Sequence, residues 1–406
     1  MTLPREISNR NFYAFLWHAG FLALAQNFMD VDTILPSMVI ESGGNAIYVG
    51  IMTAIMMGGS SFTQLFFAPY LSNRAYKKKY LLAGINVRIF SLLALAFILF
   101  ILKENKSGTV LWFIFLFITL FAVGGAFANI SYTDIFGKSV NENKRKTFFS
   151  AKQIIAGSVI LISAFIAKQV LTLAEHPVNF AYMFFIGAAL LIIASGGYWK
   201  IKESVPSILK IHGFKDYFKA LKSELGQNRK LKYFLGFINT QGIIISFLPF
   251  VVLYAKEIFC TQSNETGNFL LFKVIGIVTV SLAVFFVAGK IKYNLLLYFN
   301  VVLSVAMIII TIFIEDQHTI KYIFVFGGVA YSLYSITMNG LLLEVSGREN
   351  RVLYTGFAGA GYILPAVFPL TGGFIISRFG FRVFFLLFMI IILMSVFFIR
   401  KIDCRK

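Results

Sequence analysis

Hydrophobic runs of about 20 residues recur along this chain from one end to the other, and each is long enough to cross a bilayer as a helix. Twelve can be marked: 12–40, 46–71, 80–102, 109–135, 148–173, 178–199, 232–256, 268–289, 293–315, 319–344, 352–377 and 381–400. A helix satisfies its own backbone polar groups in lipid, whereas an isolated strand does not. A membrane barrel would need short segments of alternating polarity, not continuous apolar stretches. The composition agrees: 58% of residues are hydrophobic and 14% are charged, against about 25% charged in soluble domains. The expected fold class is an all-α membrane protein with twelve transmembrane helices.

The cations set the orientation. With the N-terminus inside, the inner segments hold 27 Lys and Arg and the outer segments hold seven. Positive charge concentrates on the cytoplasmic side of membrane proteins, so both termini are expected there. The implied localisation is multi-pass integral, in a bacterial inner (plasma) membrane. The net charge of +19 is spread over short loops between spans, where it faces anionic lipid; no nucleic-acid partner is expected. Residues 12–40 are too long for a signal-peptide core. Cys260 and Cys404 fall on opposite expected sides of the membrane and cannot pair within one chain, and no Cys/His spacing suits a metal.

The chain divides at its middle. Residues 200–231 are the longest polar stretch, and within them Phe214, Phe218, Leu221 and Leu225 recur at helical spacing between Lys215, Lys219 and Lys222. This pattern predicts an amphipathic helix on the cytoplasmic surface. It links two six-span segments, 1–199 and 232–406. The segments share a motif. Asn129, Asp134, Gly137 and Lys138 are matched 210 positions later by Asn339, Glu344, Gly347 and Arg348. A second match sets Tyr80-Leu81-Leu82 and Asn86 against Asn294-Leu295-Leu296 and Asn300, at an offset of 214. Internal duplication in a membrane protein is the usual mark of a transporter built from two similar halves.

The loop after span two reads Pro69-Tyr70-Leu71-Ser72-Asn73-Arg74-Ala75-Tyr76-Lys77-Lys78. It resembles the signature G-x-L-x-D-R-x-G-R-K/R of the major facilitator superfamily at Leu71, Arg74, Lys77 and Lys78. Pro69 and Tyr76 stand where that pattern has glycines, and Asn73 where it has an acid. Gly373-Phe374-Ile375-Ile376-Ser377-Arg378-Phe379-Gly380 is similar to the end of span eleven in the same superfamily. The resemblance covers nearly the whole chain. It implies two pseudo-symmetric six-helix bundles and transport by alternating access. It also implies a cytoplasmic gate, in which Asp134 meets Arg74 and Glu344 meets Lys290 or Lys292, with Arg348 beside it.

The resemblance places span one along a central cavity, and span one carries two acids. Helical spacing sets Asp30 on a face with Ala19, Ala23, Gln26, Thr33 and Ser37, and Asp32 on an apolar face with Phe21, Ala25, Phe28, Leu35 and Val39. A carboxylate in lipid is costly and normally faces a cavity or a partner. Asp30, and after it Asp32, are therefore the candidates for proton coupling. Candidates for substrate contact are Gln26, Gln64, Arg88, Asn239, Gln241, Tyr334 and Tyr362. Arg88 could pair with an acid or bind an anionic solute, and the latter would argue against a cation exporter. Lys152 and Lys273 lie near span ends and are expected to snorkel, and His18 is expected to be structural.

Metalloprotease, nucleophile-elbow and phosphate-loop motifs are all missing, so neither an enzyme nor a cofactor is expected, and no catalytic or metal-binding residue is assigned. The expected function is secondary active transport of a small solute by a monomer. Proton-coupled efflux of a hydrophobic or cationic compound comes first. Uptake of a sugar, organic acid or other metabolite, or lipid translocation, is the alternative, and a non-transporting membrane sensor comes after these. Superfamily resemblance does not choose among them, since one fold hosts many functions.

Overall fold

The computed structural model describes residues 4–102, 108–207, 214–287, 293–346, 359 and 361–402. Among them there is no strand. The helices, in order, are α1 Arg5–Gln26, α2 Ile34–Glu41, α3 Ala46–Ser72, α4 Lys78–Ile101, α5 Gly108–Ser139, α6 Glu142–Thr172 and α7 Val178–Lys200. They continue with α8 Phe214–Gln227, α9 Arg229–Thr240, α10 Phe247–Phe259, α11 Ser263–Val287, α12 Tyr293–Phe313, α13 Ile320–Ser346 and α14 Ile363–Lys401. Ten stretches of the described residues are long and apolar enough to cross a membrane.

The expected first span, 12–40, does not run through as one helix. It stops at Gln26, makes one 3-10 turn over Asn27–Met29, and becomes extended at Asp30 (φ −62°, ψ 126°). It resumes as α2 at Ile34. Pro36 supplies a reason: it has no N–H to donate, and its ring clashes with the carbonyl of a regular helix four residues back, at Asp32. The buried Asn27 holds the turn by donating from Nδ2 to the carbonyl of Ile160 at 2.7 Å. The helical faces assigned to Asp30 and Asp32 from spacing alone therefore do not survive past Gln26.

The expected span 232–256 is interrupted in the same way. A 3-10 segment, Gln241–Ser246, separates α9 from α10, and Pro249 follows it. Asn27 and Gln241 open the two interruptions 214 positions apart, the offset of the second repeat in the sequence.

The expected spans 352–377 and 381–400 meet inside α14, which kinks at Gly380 (φ 80°, ψ 172°). Only glycine adopts that backbone conformation readily. The 39 residues would reach about 58 Å as a straight helix, nearly twice the apolar thickness of a bilayer. The helix predicted between the two halves is present as α8.

The chain forms two compact units. One joins Met1–Asp30 to Phe62–Tyr217, and the other joins Val31–Ser61 to Phe218–Lys406. In the first, α1 packs on α6 and α7, and α4 packs on α5 and α7. The α4–α5 contact is backbone on backbone: a Cβ on Gly84 would lie 2.7 Å from the Gly124 carbonyl oxygen and 2.8 Å from the Ala128 nitrogen. Phe15, Phe148, Phe180 and Phe184 are fully buried around it. In the second, α11 lies against α13, α12 against α13 and α14, α9 against α14, and α2 against α10 and α11. Its core is a stack of Phe247, Phe250, Phe384 and Phe388.

Candidate functional site

Three groups of polar side chains interrupt the apolar packing. The first lies where α4 begins and α5 ends. Asp134 takes Lys77 and Lys138, each at 2.9 Å, and accepts a hydrogen bond from Ser207 at 2.7 Å. Glu203 accepts from the backbone amides of Lys77 and Lys78 at 2.7 Å, and pairs with Lys138 at 2.7 Å. Its carboxylate thus meets the free N–H groups at the start of α4, where a negative charge is also favoured by the helix dipole. Two acids and two lysines balance. Burial lowers the pKa of the Lys77 ammonium from its usual value, while the hydrogen bond and charge of Asp134 oppose that.

The partner of Asp134 is therefore not the expected Arg74. Arg74 is exposed and lies over the Tyr70 ring at 4.7 Å. Geometry favours Lys77, which is 3% exposed and enters the helix at its N-cap, whereas Arg74 sits on the outside of the loop. Glu203 was missed from sequence because its partners are distant in the chain, Lys77 and Lys78 by more than 120 positions and Lys138 by 65. Of the matching gate in the other half, Lys290, Lys292 and Arg348 lie outside the described residues. Glu344 falls in α13 and its side chain is not described.

The second group belongs to the second unit. Asp32 is buried and pairs with Lys273 at 2.5 Å. The Lys273 ammonium also lies 5.8 Å from the Tyr331 ring centre. Lys273 does not snorkel; it and Asp32 neutralise each other. The break before α2 turns Asp32 from the face that spacing assigned to it. Glycines bring the surrounding backbones close: a Cβ on Gly328 would strike the Lys273 carbonyl, and one on Gly276 the Val325 carbonyl. Further along, Glu41 pairs with Lys256 at 2.5 Å and accepts from Ser263. The hydroxyls of Ser37 and Thr266 are 2.8 Å apart. Asp30, the leading sequence candidate, is half-buried and lies in the first unit, just before the chain enters the second.

The third group is cationic and belongs to the first unit. Arg88, eleventh residue of α4, stacks its guanidinium over Phe121 at 4.2 Å. Its Nε is fully shielded and has no hydrogen-bond partner. Lys152 lies on α6 and is exposed.

The remaining candidates divide by how their polar atoms are used. Asn239 donates to the Gly361 carbonyl at 2.7 Å and accepts from the amides of Ile363 and Leu364 at 3.1 and 2.7 Å. It caps α14. The buried Gln241 donates to Ser304 at 3.2 Å and accepts from Ser395 at 3.1 Å, tying the 3-10 segment to α12 and α14. Tyr362 donates to the Gly242 carbonyl at 3.1 Å, while the buried Tyr334 hydroxyl has no hydrogen-bond partner. Gln26 is exposed at the end of α1; Gln64 is in α3 and its side chain is not described. His18 stacks on Tyr198 at 3.7 Å and its Nδ1 faces the Ala194 carbonyl at 3.2 Å. Among the described residues, no group of three or more His, Cys, Asp or Glu is arranged to hold a metal ion.

Comparison with known proteins places this architecture. A variant of the nucleoside transporter NupG aligns over 97% of this chain and 100% of its own, with a TM-score of 0.70 at 12% identity. A POT family transporter in complex with a thioalcohol-conjugated peptide aligns over 97% of both chains, at TM-score 0.70 and 13% identity. A D-xylose-proton symporter aligns over 95% of this chain and 96% of its own, at TM-score 0.68 and 12% identity. At such identities the likeness is one of fold. No curated protein sequence matches the chain. The sequence model of the Major Facilitator Superfamily matches residues 16–362, and with helices throughout and these structural relatives, the chain belongs to that superfamily of membrane transporters.

Proposed function

We propose that the chain is a proton-coupled secondary transporter for a small solute, and that the buried Asp32–Lys273 pair is the coupling element. The observation that carries this reading is a buried ion pair at 2.5 Å between the break before α2 and helix α11. Removing two charges from water costs several kcal/mol each, so the pair is favourable only while both partners are present. A proton on Asp32 removes the charge attraction that holds it to Lys273, which lets the pair part. One of the structural relatives is named as a proton symporter, which supports coupling of this kind.

In this reading the halves are 1–199 and 232–406, joined by the cytoplasmic segment 200–231, and a monomer in the plasma membrane works with both termini inside. Asp32, Ser37 and Glu41 come from the first half; Lys273, Thr266 and Lys256 come from the second. With that orientation these contacts close the outer side. The Asp134–Lys77–Glu203 cluster holds helices of the first half together at the cytoplasmic end. Asp30 stays a candidate for proton relay beside the break. Export of a cationic compound would draw on spare negative charge, but the charge of Asp32 is met by Lys273. The unmatched Arg88 favours the other solute class, an organic acid or similar metabolite.

The test is reconstitution into liposomes with an imposed pH gradient and a panel of labelled solutes. A pH-dependent flux is expected from the native chain. Asp32→Asn should abolish gradient-driven accumulation while keeping solute exchange at zero gradient. Full gradient-driven accumulation by Asp32→Asn would overturn the coupling role, and absence of flux for every solute would overturn transport.

A further inference from the structure

Among the described residues of the first unit, Arg88 has no carboxylate within ion-pair distance, and its guanidinium lies over the Phe121 ring at 4.2 Å. The contrast with Lys273 is informative. That lysine is matched by Asp32 at 2.5 Å, so a buried cation in this chain can have a built-in partner. Arg88 has none. Its Nε is shielded from solvent and unsatisfied, a costly state for a group whose donors are all meant to be used.

The surroundings of Arg88 shape what it can take. Phe121 covers one face of the guanidinium. Gly125, one turn further along α5, lets the side chain lie close to that helix: a Cβ there would be 3.6 Å from Arg88 Nε. An aromatic ring on the flat face leaves the in-plane N–H groups as the available edge. That edge is a fork matched to two oxygens of a carboxylate or phosphate. His18 is held by the Ala194 carbonyl and by stacking on Tyr198. Arg88 and His18 lie on helices that both pack against α7.

We propose that Arg88 binds the oxyanion group of the transported solute, which is therefore a small organic acid or phosphorylated compound. The assignment rests on the transporter reading and names its substrate class. The missing counter-charge is supplied by the solute when it binds and is lost when it leaves.

The test is thermal melting of the purified full chain in detergent, with succinate, glycerol phosphate and inorganic phosphate as probes. Succinamide and glycerol serve as neutral analogues, and chloride matches ionic strength. At least one oxyanion should raise the native midpoint above the chloride control, and its neutral analogue should not. A preference for succinate identifies a carboxylate solute, and a preference for the phosphates a phosphorylated one. Arg88→Gln should weaken the apparent affinity about tenfold or more, because it removes a bidentate contact. Arg88→Lys keeps the charge but loses the fork, and should fall between the native chain and Arg88→Gln. It also serves if Arg88→Gln does not fold. No shift with any probe, or an equal shift in the native chain and the Arg88 variants, would overturn the assignment. Oxyanion binding without flux in liposomes would leave this site standing and remove the transport reading. Flux indifferent to both Arg88 substitutions would do the reverse.

Discussion

From sequence Lys273 is expected to snorkel and Asp32 to sit on an apolar face as the second candidate for proton coupling, and the structure pairs them. The reading failed because it treated 12–40 as one unbroken helix. Once Pro36 and the turn at Asn27–Met29 break the spacing, the face of Asp32 can no longer be counted from its neighbours. Arg88 was legible as a cation inside a span, but its lack of a partner needed three-dimensional neighbours. The buried pair makes a clear prediction. Asp32→Asn should destabilise the protein by about 3–5 kcal/mol, because it removes the carboxylate of a buried ion pair. Adding Lys273→Met should recover most of that loss. Denaturant unfolding in detergent checks it, and equal stability of the single and double variants would count against the pair. At the other end, Arg74→Gln should change stability by no more than about 0.5 kcal/mol, since Arg74 is exposed. Lys77→Gln should cost about 2 kcal/mol, because its Nζ bonds both Asp134 and Ser207. The same unfolding measurement ranks the two.

At the scale of the helices, apolar length was legible and continuity was not. A run of hydrophobic residues looks the same whether its backbone is α-helical throughout or passes through a 3-10 turn, so the interruptions at Asn27–Met29 and Gln241–Ser246 were hidden. The prolines after each were the available signal. Caps were hidden for a different reason. Sequence rules search for a capping side chain just before its helix, but α14 is capped by Asn239, more than 120 positions upstream, and the start of α4 by Glu203, about as far downstream. Asn239→Ala should cost about 1–2 kcal/mol through loss of the acceptor for the Ile363 and Leu364 amides. Asn239→Asp, which keeps an acceptor there, should cost less. Thermal melting of the two variants in detergent distinguishes this capping role from simple packing, which would treat both alike.

At the scale of the whole molecule, two helices break 214 positions apart, at Asn27 and Gln241, the offset of one of the repeats read in the sequence, and the superfamily is shown by the match over residues 16–362. Solute class was not legible, because it depends on which charges remain unmatched after folding. The transport reading makes the contacts between residues 31–61 and α10–α11 transient, and this can be tested without knowing the solute's identity in advance. The Ser37 and Thr266 hydroxyls are 2.8 Å apart, close enough for cysteines at both positions to form a disulfide with little backbone movement. With both native cysteines, Cys260 and Cys404, replaced by serine, the Ser37→Cys/Thr266→Cys chain should cross-link on mild oxidation. Cross-linking is measured by loss of maleimide-reactive thiols. Flux in liposomes should then fall to background and return on reduction with dithiothreitol, while each single-cysteine chain stays active under oxidation. If the fully cross-linked protein still carried solute at the native rate, the contact would persist through the cycle. The opening motion would then have to be sought elsewhere, and the Asp32–Lys273 pair beside it would be a fixed brace and not a coupling element.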